Sequence, residues 1–175
     1  MGALRLREEV NRMEVCIKGA AEDIQLGDID EVCIDIDNIL LPVDGSEPAV
    51  AATQYAVVLA KTFSAKITAI YVDTGQDQLE LPEEREAEEV FEGAHHSVKG
   101  LMIARKMCEA NGVECEAHIV RGGVAKRIIA TADEIGADMI VMGDTGRTGL
   151  KRIALGSVAE TVVKGSYIPV MVVKM

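Results

Sequence analysis

Five short strand-like runs, 39–43, 66–72, 114–120, 138–142 and 168–173, recur along this chain with a helical pattern in each gap. That alternation restricts the fold more than any other feature. The runs are short, and Ile39-Leu40-Leu41-Pro42-Val43 and Met139-Ile140-Val141-Met142 are apolar enough to be buried strands. A strand, a helix and another strand in succession imply parallel pairing, because a parallel connection must cross over the sheet. The expectation is an α/β fold: a doubly wound, five-stranded parallel sheet with helices on both faces and right-handed crossovers.

Local chemistry marks the joints. In Asp44-Gly45-Ser46-Glu47-Pro48, Gly45 turns the chain, Ser46 can cap, and Pro48 suits a first helical turn. A helix to about Lys61 follows, with Ala52, Ala56, Leu59 and Phe63 on one face. A second helix runs to about Ala110 with Val90, Ala94, Leu101, Ala104 and Cys108 inward; Asn111-Gly112 ends it. A third covers 124–135, with Ile128, Ala132 and Ile135 inward and Gly136 closing it. Pro169 suits an edge strand or its first residue.

Composition narrows the function. The chain has 175 residues, a net charge of −11 and 3% aromatic residues with no Trp. Such an acidic chain repels nucleic acid and anionic membranes, and it lacks the aromatic platforms on which single-stranded bases stack. Cys16, Cys33, Cys108 and Cys115 have no Cys-x-x-Cys spacing, and His95, His96 and His118 do not complete a zinc pattern. Free thiols are expected. No secretory leader, lipidation motif or membrane-length apolar run is recognisable, so a soluble, cytoplasmic chain is expected. Between Asp73 and Glu92 nine carboxylates face a single Arg85, without metal-ligand spacing, which reads as a solvated charge run.

The stretch that carries chemistry is 139–158. Gly143, Gly146, Gly149 and Gly156 follow the fourth strand, and Gly156-Ser157 opens a helix over 158–165 with Ser157 at or beside its N-cap. Glycines admit close backbone approach and positive φ, and a helix N-terminus offers unpaired N–H groups and partial positive charge. Together they suggest an anion cradle, with phosphate the usual anion. Arg147, Lys151 and Arg152 add positive charge. The loop is neither a Walker A nor a Gly-x-Gly-x-x-Gly motif.

Gly143-x-x-Gly146, nine residues, then Gly156-Ser157 resembles the nucleotide-binding pattern of the universal stress protein family, in its ATP-binding subgroup. The resemblance spans about 37–175 and leaves 1–36 as an extension. There Leu6, Val10, Met13 and Ile17 share one helical face, suited to lying on this domain or a sister subunit, or to docking another protein.

The resemblance implies a strand order of 3-2-1-4-5, which puts the winding reversal between strands 1 and 4. Pro42, Val43 and Asp44 would contact adenosine, and Val72 would offer backbone groups to the base edge. Gly143, Gly146, Gly156, Ser157 and Val158 would line ribose and phosphates. Arg147 is a candidate phosphate contact, with a surface role equally open. The implied ligand is ATP, AMP or another adenylate, and the implied assembly is a homodimer through 168–174. That run would be aggregation-prone as a bare edge.

Asp144 departs from the small or hydroxyl residue frequent in the family. A carboxylate beside phosphates is unfavourable without a bridging cation, so Asp144 either points to solvent or helps hold Mg²⁺ with the nucleotide. No nucleophile–base pair or water-positioning Gln accompanies the loop. The expectation is a nucleotide-binding regulatory module in a stress response. A slow ATP-hydrolysing enzyme and a ligand-independent scaffold using the N-terminal helix are the alternatives.

Overall fold

A computed structural model describes residues 34–75, 96–146 and 155–175. The expected N-terminal helix, the acidic run beyond Gly75, His95, Arg147, Lys151 and Arg152 lie outside the described residues.

The described elements alternate as expected: β1 (Asn38–Pro42), α1 (Glu47–Phe63), β2 (Lys66–Asp73), α2 (His96–Asn111), β3 (Cys115–Arg121), α3 (Val124–Glu134), β4 (Met139–Gly143), α4 (Ser157–Gly165) and β5 (Val170–Val173). All strand pairs are parallel, in the order β3-β2-β1-β4-β5. The register sets Leu40 beside Ile140, and Val141 beside Met171.

Strand alternation divides the core into two layers. Ile39, Leu41, Ile67, Ala69, Tyr71 and Val141 face α1 and α2, where Ala52, Ala56, Leu101, Ala104 and Cys108 meet them. Leu40, Ile70, Val72, Ile140 and Met142 face α3 and α4, where Ile128, Ala132, Ala159 and Val162 complete the second layer. On α1 the fully buried positions are centred on Ala49, Ala52, Ala56, Val57 and Ala60, whereas Leu59 and Phe63 are only partly buried. Small side chains let this helix lie close over the sheet.

The punctuation follows local chemistry. Ser46 is the N-cap of α1, its Oγ accepting from the Ala49 N–H at 3.4 Å. Gly45, Gly112 and Gly136 take positive φ at 77°, 67° and 59°. At the amino end of the sheet, one Asp138 carboxylate oxygen accepts from the N–H groups of Asp37 and Asn38, both at 2.9 Å. This carboxylate anchors the start of β1 to the chain that leads into β4.

Candidate nucleotide-binding site

The crevice lies at the carboxyl ends of β1 and β4, where the sheet reverses its winding. One cavity of about 450 Å³ opens there. Pro42, Val43, Asp44, Val72, Gly143, Gly146, Gly156, Ser157 and Val158 all line it, together with Asp144. The expected site residues among those described therefore meet in one place; Arg147 lies outside them.

Three walls can be told apart. The first is the end of β1. Although β1 ends at Pro42, the Val43 N–H still donates to the Ile70 carbonyl at 2.8 Å, so the backbone stays bound to β2 up to the turn. Asp44 follows, its Oδ1 accepting from the Ser46 N–H at 3.0 Å in an Asx turn that orients the carboxylate. The turn is also held from behind. A Cβ on Gly100 of α2 would lie 2.8 Å from the Gly45 nitrogen, so only glycine admits the helix so close.

The second wall is apolar. Ile70 and Val72 of β2, Val124 and Ile128 of α3, and Met142 of β4 supply it, with Thr74 and Tyr71 at the β2 end. Of these only Val72 was expected. The helical period of α3 turned Ile128 inward, but nothing local in the sequence reveals that its N-terminal turn reaches the crevice. Below Thr74, the buried Asp73 carboxylate accepts from the Gly75 N–H (2.8 Å) and from the Arg121 Nε–H (3.2 Å), which ties the ends of β2 and β3 together.

The third wall, the glycine loop with the start of α4, corrects the expectation in one respect and sharpens it in two. First, Gly143, Gly146 and Gly156 do not take positive φ. They admit close approach of other parts of the chain. A Cβ on Gly143 would stand 2.8 Å from the carbonyl carbon and the Cβ of Pro48; on Gly146, 2.9 Å from Asp44 Oδ2; on Gly156, 2.8 Å from the Asp144 carbonyl oxygen. Second, the N-cap of α4 is Gly156, with φ −64° and ψ 150°, and among the described residues no side chain caps the helix. Ser157 is the first helical residue and its side chain is exposed, so its hydroxyl is not spent on a cap. Third, Asp144 does not point into open solvent. It is only 6% exposed, with Thr145 Oγ donating to its Oδ1 at 3.1 Å.

The donors follow from this geometry. The Gly156 N–H is used by the Asp144 carbonyl at 2.8 Å, and the Asp144 N–H by the Val173 carbonyl at 2.9 Å. The Glu160 N–H is the first of α4 to bond back along the helix, to the Gly156 carbonyl at 2.8 Å. Helix geometry therefore leaves the N–H groups of Ser157, Val158 and Ala159 without intrahelical partners at the cavity. Among the described residues, no cluster of three or more His, Cys, Asp or Glu could hold a metal by itself. A single carboxylate such as Asp144 still fits Mg²⁺ that is held mostly by phosphates and water.

A model of the universal stress protein family matches residues 35–174. The chain belongs to that family. It is 41% identical over 137 residues to universal stress protein MJ0531 of Methanocaldococcus jannaschii, covering 78% of this chain and 81% of that one. The solved structure of hypothetical protein MJ0577 superposes with a TM-score of 0.61 at 30% identity, covering 81% of this chain and 98% of that one. A universal stress protein from Archaeoglobus fulgidus, solved in complex with dAMP, superposes with a TM-score of 0.53 at 24% identity, over 81% and 99%. That last likeness is one of fold. Among the described residues, no helix is long and apolar enough to cross a membrane.

Proposed function

We propose that this universal stress protein binds an adenine nucleotide between the ends of β1 and β4 and serves as a nucleotide-dependent regulatory module in a stress response. One observation carries the reading: an oriented acceptor, Asp44, a helix N-terminus at Ser157 and a set of apolar side chains line one and the same cavity. Asp44 accepts from a ribose hydroxyl or the adenine amino group. The base lies against Ile70, Val72, Ile128 and Met142, and the backbone of Val72 reads its edge. Pro42 and Val43 flank the adenosine. The first N–H groups of α4 and the Ser157 hydroxyl donate to phosphate, which the helix dipole favours. Gly143, Gly146 and Gly156 shape the loop, and Arg147 is the candidate cation for the outer phosphates. ATP, with or without Mg²⁺, AMP and other adenylates are the ligand class, consistent with the dAMP bound by the fold relative.

The assembly we propose is a two-fold dimer through β5. That strand is a sheet edge, paired only with β4 among the described strands. The Pro169 carbonyl accepts from Ile140 of β4 and the Val173 carbonyl from Asp144 just beyond it, so by alternation Val170 and Val172 direct their N–H and C=O groups outward. Open apolar edges of this kind favour pairing with another strand.

Thermal unfolding with ATP, AMP and GTP, with phosphate release measured in parallel, tests the proposal. At a hundredfold excess over Kd, a ligand that binds only the folded state adds about 2.7 kcal/mol. That corresponds to roughly 5–11 °C in a chain of this size. Adenine nucleotides should give the shift and GTP should not. No shift with any adenine nucleotide at millimolar concentration would refute the reading.

A further inference from the structure

Asp144 is held more firmly than a loop residue needs to be. Its N–H donates to Val173 of β5, its carbonyl accepts from Gly156, the N-cap of α4, and its Oδ1 accepts from Thr145 Oγ. The two backbone bonds fix the chain at 144, the Thr145 hydroxyl holds the carboxylate, and the residue is only 6% exposed. Its carboxylate is therefore part of the wall beside the end of α4 that attracts anions. Among the described lining residues, Asp44 and Asp144 are acidic and none is basic. Asp44 accepts from the Ser46 N–H at the end of β1, whereas Asp144 bonds to Gly156, the N-cap of α4, so Asp144 is the carboxylate set beside the phosphate end of the proposed site.

A fixed negative charge acts in proportion to ligand charge. Uncharged adenosine is indifferent to it, AMP is weakened, and ATP without a bound cation is weakened most. Resting on the nucleotide site proposed above, we infer that Asp144 is a specificity-determining residue: it makes the site discriminate among adenine ligands by phosphate charge, against uncomplexed ATP and in favour of adenosine and AMP.

The test is calorimetric titration of the full chain with adenosine, AMP and ATP in a chelator, so that no cation masks the phosphates. Asp144→Asn keeps an oxygen for the Thr145 hydroxyl and removes the charge. ATP should bind the variant about tenfold more tightly than wild type, AMP by a smaller factor, and adenosine within about twofold of wild type. Asp144→Ser, a second neutral variant, must give the same change in rank order and keeps the test valid if the first folds poorly. The basic residues at 147, 151 and 152 are common to all three proteins, so the comparison isolates position 144. Equal changes for all three ligands, or unchanged ATP affinity with adenosine still bound, would overturn the inference and leave the nucleotide site standing. If no adenine ligand binds any of the proteins, the nucleotide site itself falls.

Discussion

Gly143→Ala tests whether the loop glycines serve the ligand or the chain. A methyl group at 143 would stand 2.8 Å from the Pro48 carbonyl carbon, 2.8 Å from the Pro48 Cβ and 3.0 Å from the Ala49 nitrogen. Carbon atoms in favourable contact stand about 3.5–4.0 Å apart, so relief of roughly 0.7–1.2 Å is needed. Pro48 cannot give it alone. It sits in the first turn of α1, fixed by the Ser46 cap and the Asp44 Asx turn. The start of α1 must lift from β4 instead. Overpacking of this kind costs about 1–3 kcal/mol. A midpoint of about 2 kcal/mol lowers Tm by roughly 4–8 °C in a chain of this length. Urea unfolding without nucleotide should show a lower midpoint with an unchanged m-value. Gly146→Ala is the comparison, because among the described residues its methyl would meet only Asp44 Oδ2, at 2.9 Å, and a carboxylate can turn aside. It should cost under about 1 kcal/mol of stability while weakening ligand binding. Gly143→Ala within about 0.5 kcal/mol of wild type, or Gly146→Ala costing as much, would refute the packing argument.

Three further outcomes are expected. Asp44→Asn keeps the oxygen that accepts from the Ser46 N–H but loses a charged acceptor, so adenosine affinity should fall about tenfold in calorimetry with little change in Tm; unchanged affinity would remove Asp44 from the site. Val172→Pro deletes an outward N–H of β5 without touching its bonds to β4, so sedimentation should show a shift from dimer to monomer, and a persistent dimer would place the interface elsewhere. A hydrogen bond from Cys108 and the positive charge of Arg105 hold the Cys115 thiol below its ordinary range, whereas Cys108 is buried and raised. A lowered thiol pKa means more thiolate at neutral pH, so peptide mapping after iodoacetamide should find Cys115 modified well before Cys108, with its rate midpoint below that of a free thiol. The reverse order would contradict this arrangement.

Much of the frame was legible because it is written within a few residues of where it acts. Gly45-Ser46-x-Pro48 encodes a turn, a cap and a first helical turn, and each is present. Asn111-Gly112 and Gly136 end helices because glycine tolerates positive φ, and both glycines have it. The apolar period put Leu101, Ala104 and Cys108 on the buried face of α2. At 156–157 the same local reasoning put Ser157 at or beside the cap; only the structure decides that Gly156 is the cap and Ser157 its neighbour, so the hydroxyl stays available.

By itself, then, the sequence determined the alternation of strands and helices, their parallel pairing and the family pattern that points to the crevice, since these depend on period, propensity and short-range turn chemistry. Only the tertiary structure decided what the glycines and Asp144 do. Gly143 meets Pro48, Gly146 meets Asp44 and Gly100 meets Gly45 across separations of 55 to 102 residues. Contacts of that span leave no trace in a local pattern. They arise when a parallel sheet brings distant strand ends side by side, and the same closure buries Asp144 against β5 and α4 as a fixed charge on the cavity wall.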